Sequence, residues 1–183
     1  METTTRLLDA AEKRMRKGGY NAVSFRDLAE DTGIKSSSVH YHFPKKEDLG
    51  SALVERYSGR FFSFLEEISQ KAPGPQDKFK AYTKVYRTAL TEDDAVCLCG
   101  LLGAEIAGLP DMLSDRVRDF FKANIEWLEK ALPANMGKAR RNKIAGAILA
   151  SHQGAMMLAS SMNDVKIFDS ITSTSVKQAL AEV

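Results

Sequence analysis

Phe25-Arg26-Asp27-Leu28-Ala29-Glu30-Asp31-Thr32-Gly33-Ile34-Lys35-Ser36-Ser37-Ser38-Val39-His40-Tyr41-His42-Phe43-Pro44-Lys45-Lys46 is the stretch from which the rest of the chain can be placed. It reads as two short helices joined by a glycine turn, followed by the cationic start of a third helix. Leu28 and Ala29 fall on the inner face of the first helix, and Ala29 is small enough for the second to cross close above it. Four residues after Ala29, Gly33 supplies the left-handed backbone that a tight corner needs and that a Cβ disfavours. Ile34 fills the gap under the corner, and six residues after the glycine Val39 returns a compact apolar side chain to the crossing. The helix between the corner and Pro44 is too short to stand alone, so packing must hold it. Its outer face is left free to meet a partner.

That face has a marked charge bias. From Thr32 to Lys46 there are three lysines (Lys35, Lys45, Lys46), two histidines (His40, His42), three serines (Ser36 to Ser38) and no Asp or Glu. Short hydroxyls at the start of a helix let the backbone approach base edges, while ammonium groups and helix N-terminal amides suit phosphate oxygens. A run of lysines alone is usually a solvated helix end. Joined to the 29/33/39 spacing, it is read here as a helix-turn-helix aimed at duplex DNA.

The segment from Thr5 to about Tyr57 resembles the N-terminal domain of TetR-type transcriptional regulators. The resemblance is carried by Leu7, Leu8 and Ala11, the Gly19-Tyr20 break, Ser24 before Phe25, Asp27-Leu28-Ala29, Gly33, and the run Val39-His40-Tyr41-His42-Phe43-Pro44-Lys45-Lys46-Glu47-Asp48-Leu49. One departure is visible, since the family usually has Tyr where this chain has His40. The resemblance implies that Ser24 touches phosphate, that Lys35, Ser36 and Ser37 read base edges, and that Tyr41, His42 and Lys46 clamp the DNA backbone. His40 lies on the same contact face, and Phe43 is a core plug. It further implies an all-α protein in which a three-helix DNA-binding domain (residues 1–48) precedes a helical effector-binding and dimerisation domain (residues 49–183). The expected partners are a palindromic operator, a second copy of the chain and a small-molecule effector, with repression as the expected outcome.

Composition is consistent with this reading but does not select it. With 183 residues and 44% apolar content the chain can bury a real core. A net charge of +2 excludes affinity resting on a globally basic protein, and residues 1–50 carry nine Lys or Arg against eight Asp or Glu. The cationic character is therefore local. There is no apolar leader and no run of about 18 apolar residues, so a cytoplasmic protein without membrane insertion is expected. Two cysteines two positions apart offer no disulfide framework. No phosphate-cradling glycine loop, paired-cysteine zinc spacing or HExxH occurs, and no cofactor or metal is expected.

Beyond Glu47 the periodicity is helical throughout. One long helix is expected from Lys45 to about Gln70, ending at Pro73-Gly74-Pro75, with further helices over Gln76–Leu90, Ala95–Ala107, Met112–Leu132, Gly137–Ser161 and from Thr172 to the end. This gives about nine helices in all. Small residues (Ala145, Gly146, Ala147, Ala150, Ser151, Gly154, Ala155, Ala159) along the eighth suit close helix approach. Paired recognition helices on a two-fold axis would meet successive major grooves, which favours a homodimer.

A sensor is expected in the middle of the chain. Tyr82, Tyr86, Leu101, Met112, Phe120, Trp127 and Met156 are candidate effector contacts, although aromatic and Met stripes at this spacing ordinarily fill a core. Cys97 is a further candidate and the basis of an alternative, a thiol-based electrophile or redox sensor of the same fold. If Asp94 caps a helix, Cys97 falls at its third position, where free amides favour thiolate. A small thiol enzyme or a helical interaction module is a remote alternative. His152, between Ile148 and Met156, reads as a core histidine.

Overall fold

The computed structural model describes residues 2–72 and 74–181. Among them all regular structure is helical, in nine α-helices and two 3-10 turns: α1 (Glu2–Gly18), a turn at Tyr20–Ala22, α2 (Phe25–Thr32), α3 (Ser36–His42), α4 (Lys46–Lys71), α5 (Pro75–Thr91), α6 (Leu98–Ala104), a turn at Ile106–Gly108, α7 (Asp111–Ala131), α8 (Lys138–Met162) and α9 (Val165–Ala181). Of the expected Pro73-Gly74-Pro75 break, Pro73 lies outside the described residues; Gly74 precedes α5 and Pro75 opens it, where its missing N–H costs nothing. No described helix is long and apolar enough to cross a membrane.

The helices form two compact units. The first comprises the chain up to Arg60 together with Leu98–Phe120; the second comprises Phe61–Cys97 and the chain from Phe121 onward.

In the first unit, α1 buries Leu7, Leu8, Ala11 and Met15 along one face. α2 begins where the Ser24 hydroxyl accepts the Asp27 N–H at 3.2 Å and ends at Gly33, whose φ of 66° and ψ of 29° are left-handed. The Gly33 N–H reaches the Glu30 carbonyl, and the Ile34 N–H reaches that of Ala29, so two orphan carbonyls are satisfied at the corner. Leu28, Ala29, Val39 and Phe43 are all buried, which fixes α3 across α2 as the spacing requires. A Cβ at Gly33 would meet nothing within 4 Å, so substitution there is penalised through the backbone alone. Gly33→Val should therefore cost about 1–2 kcal/mol of stability, and Gly33→Asn much less, because Asn tolerates the left-handed region. Thermal melts showing the two variants equally stable would contradict that backbone.

In the second unit, α8 pairs with α9 across a two-residue corner. Asn163 adopts φ 50°, ψ 40°, its N–H reaching the Ser160 carbonyl, and the Asp164 N–H reaches that of Ala159. The Asp164 carboxylate then accepts the Lys166 N–H at 2.9 Å, so α9 begins at Val165 and not at the expected Thr172. Phe168 and Thr172, one turn apart, are both buried. α6 is also shorter than expected. Asp94 has a positive φ of 48° and the Ala95 N–H closes back onto the Ala89 carbonyl, so α6 starts only at Leu98. Cys97 thus precedes the helix, and the expected third-position placement with its helix-end amides does not hold.

Candidate nucleic-acid interface

The side chains expected to meet DNA are set by how α3 is pinned. Val39 is fully buried, so the opposite side of the helix faces outward, and Lys35, Ser36, Ser37, His40 and Tyr41 are exposed. Tyr41 is 84% exposed, a large aromatic held in water by a short helix. Its ring meets that of His42 edge-on at 5.3 Å. His42 itself is half-buried, with Nδ1 3.2 Å from the Thr4 hydroxyl, which ties the end of α3 to α1. The His40 ring stands edge-on to Phe25 at 4.7 Å, so part of its surface is committed to α2.

Ser24 is exposed at the start of α2, and its hydroxyl is engaged in both roles. It accepts the Asp27 N–H and donates to Asp27 Oδ2 at 2.7 Å. An anion at this helix end would share it with a carboxylate.

Lys46, in the first turn of α4, is half-buried, and its Nζ lies 4.3 Å from the centroid of the Tyr20 ring. Burial pulls its ammonium below the usual lysine range, with the Glu105 carboxylate acting in the opposite direction. Lys45 is exposed but pairs with Glu47 at 3.1 Å. The two adjacent lysines are therefore held by different partners.

Two constellations supporting this face escape sequence reasoning. Arg14 forks onto both carboxylate oxygens of Asp31 (2.5 and 2.9 Å), and an Arg6 nitrogen donates to the Thr32 carbonyl, so α1 grips α2 and its corner. Arg56 Nη2 reaches Asp9 at 2.9 Å and Glu12 at 3.3 Å, while Arg60 reaches Glu12 at 2.5 Å, which holds α1 against α4. Four cationic residues among acidic ones on amphipathic helices look like ordinary solvated faces until the helices are packed.

The candidate effector residues divide between the units. Leu101, Met112 and Phe120 belong to the first, where Phe120 packs on Tyr57 at 5.9 Å, Leu101 is half-buried and Met112 is 44% exposed. Tyr82, Tyr86, Cys97, Trp127 and Met156 belong to the second. There the Trp127 ring stacks on Tyr82 (5.6 Å, 16°), and the Tyr82 hydroxyl donates to Asn124 Oδ1 at 2.9 Å and lies 3.2 Å from that of Tyr86. Gln153 donates to the Tyr86 hydroxyl at 3.3 Å. Burial pushes the Tyr82 hydroxyl far above the usual tyrosine range, so it stays a proton donor. His152 joins this group edge-on to both tyrosines. Cys97 and Cys99 are both buried.

A helix-turn-helix that presents serine and lysine outward places the chain in the class of DNA-binding proteins. Residues 7–53 match the family model described as bacterial regulatory proteins, tetR family. The chain is similar to the transcriptional regulator AcuR of Cereibacter sphaeroides, 25% identical over 80% of this chain, and spans 65% of that protein's length. It is also similar to two solved structures. One is a TetR transcriptional regulator from Legionella pneumophila (29% identity, TM-score 0.90, 94% of this chain and 95% of that one). The other is a TetR-family regulator from Agrobacterium tumefaciens (27%, TM-score 0.91, 97% of each). Residues 7–53 thus carry a TetR-type DNA-binding domain, and the chain as a whole is similar in fold to TetR-family transcriptional regulators. These similar proteins are transcriptional regulators and not enzymes, which speaks against the thiol-enzyme alternative.

Proposed function

We propose that the chain is a repressor that binds a palindromic operator as a homodimer and releases it when a small molecule enters the second unit. The observation that carries the DNA contact is the exposed Lys35-Ser36-Ser37 edge of α3, opposite a fully buried Val39. Lys35, Ser36 and Ser37 read base edges; Ser24, Tyr41, His42 and Lys46 hold the backbone, and His40 lines the same face. Exposed Met157, Leu158 and Met162 on α8 support a helix-to-helix contact with a second copy. The Tyr82, Tyr86, Asn124 and Trp127 cluster supports a small aromatic or weakly polar effector, since it couples stacking surface with hydroxyl and amide groups. Burial of both thiols favours such release over thiol chemistry.

Selection of bound fragments from random duplex DNA tests this directly. Recovery of a palindromic consensus is expected, and retention of no duplex at low ionic strength would end the proposal. Within that assay Lys46→Ala should weaken binding to every sequence and flatten the dependence of log K on log salt by about one ion. An unchanged slope would mean that Lys46 does not meet phosphate. Lys35→Ala and Ser37→Ala should instead change preference among operators by about 1–3 kcal/mol per lost base contact. Equal losses on all sequences would contradict base reading.

A further inference from the structure

Between α6 and the following 3-10 turn, Glu105 adopts φ −95°, ψ 7° and sends its carboxylate across the first unit to the break after α1. Its Oε2 accepts the Tyr20 N–H at 2.8 Å. Gly19, at φ 76°, leaves room for this approach, because a Cβ there would lie 1.9 Å from Oε1. The tyrosine whose backbone Glu105 holds is the one whose ring carries the Lys46 ammonium. Tyr20 is itself clamped: it is buried, and a Cβ on Gly50 would come within 3.3 Å of its ring and 3.0 Å of Leu113. An acidic side chain, a fixed aromatic platform and a cation reserved for phosphate thus form one cluster. Ser114, in the first turns of α7, ties back to the Ile106 and Leu109 carbonyls (3.4 and 3.5 Å), so Glu105 stands on a braced segment.

We propose that Glu105 is a positioning residue that competes with the DNA backbone for Lys46, fixing Tyr20 beneath the ammonium and setting a negative charge beside it. A phosphate approaching α4 has to draw Lys46 off the Tyr20 ring that Glu105 holds in place, against the pull of the carboxylate, so Glu105 lowers affinity for every duplex and leaves sequence preference untouched. The segment Leu98–Phe120 thereby acquires a lever on DNA binding without itself touching DNA. The inference rests on Lys46 meeting phosphate, as proposed above.

Glu105→Gln separates the charge from the scaffold, because the amide oxygen still accepts the Tyr20 N–H. Binding of a fluorescent duplex is measured across a salt series for the full-length wild type, Glu105→Gln, Lys46→Ala and the double variant. Glu105→Gln should bind specific and unrelated duplexes roughly two- to five-fold more tightly at low salt, the range of a partly exposed charge pair. Its salt dependence should steepen by up to about one ion. In the Lys46→Ala background the gain should vanish. Unchanged or weaker binding by Glu105→Gln, or an equal gain without Lys46, overturns the proposal. If Lys46→Ala flattens the slope while Glu105→Gln changes nothing, only the role of Glu105 falls; if Lys46→Ala leaves the slope intact, the phosphate contact falls first. Glu105→Asp, which retracts the charge by one methylene, gives the same comparison with a smaller expected gain should Glu105→Gln melt early.

Discussion

Gly19→Ala should lower the melting temperature more than any other single glycine replacement in the first unit, and a Glu105→Ala background should restore part of the loss. Two independent costs meet at this residue. Its φ of 76° and ψ of −171° lie in a region open essentially to glycine alone, where a Cβ costs about 1–3 kcal/mol. The same Cβ would sit 1.9 Å from Glu105 Oε1 and 2.6 Å from its Cδ, so the carboxylate must leave. When it leaves, the Tyr20 N–H loses a charged acceptor, which adds about 1–3 kcal/mol. A total near 4 kcal/mol corresponds to a fall of roughly 8–16 °C for a chain of this size. Gly33→Ala provides the contrast, because it meets only the backbone cost in open space. Removing Glu105 relieves the collision but not the dihedral strain, so the double variant should fall between wild type and Gly19→Ala. A Gly19→Ala protein as stable as Gly33→Ala, or a Glu105→Ala background with no rescue, would show that the carboxylate does not reach this turn.

The contrast between these glycines also marks what was legible in the sequence. Gly33 could be read because its corner is local: the residues that need it, Ala29 and Val39, lie four and six positions away, and periodicity exposes both. Gly19 is visible as a break between helices, but its partner Glu105 is 85 residues from Tyr20 and belongs to a segment that the family resemblance assigns to a different domain. The start of α9 lies ahead of the Thr172 that the sequence suggests, for a local reason. Val165, Ile167 and Ile171 are β-branched, and the helix is secured by Asp164 as cap and by burial of Phe168, neither of which a propensity reading weights. Asp94 reads as a cap that would put Cys97 inside a helix, but its positive φ makes it a turn residue instead. The outward residues of α3 needed only a helical wheel anchored on Val39. The hydrogen bonds joining Tyr82 to Asn124 and Tyr86 to Gln153, across 42 and 67 residues, required the packed second unit.

That second unit carries a latent acid sensitivity. His152 is fully buried, with Nδ1 2.8 Å from the Ile148 carbonyl and Nε2 2.9 Å from the Thr83 hydroxyl. The neutral ring donates from Nδ1 to the carbonyl and leaves Nε2 as an acceptor, which shares the one Thr83 hydroxyl hydrogen with the Phe79 carbonyl at 2.9 Å. Its polar valences are used, yet a charge there would be surrounded by Tyr82, Tyr86 and Phe168. Burial accordingly pulls its pKa down to about 4, against a smaller opposing contribution from the Ile148 carbonyl. Because the folded value lies below the unfolded one, the unfolded chain binds the proton more tightly. Stability from this residue is complete above pH about 6.5 and drains away as pH falls towards about 4, by roughly 3 kcal/mol in total. Urea unfolding between pH 7.5 and 4.5 should show this as a falling difference between wild type and His152→Gln, a neutral replacement able to keep one hydrogen bond. Carboxylate titration, common to both proteins, cancels in that difference. His152→Gln should be the less stable protein at pH 7.5, where its packing is poorer, and should close most of the gap by pH 4.5. Parallel curves across the whole range would mean that His152 is hydrated, and a hydrated ring would also argue against the dry aromatic cluster on which the proposed effector contacts depend.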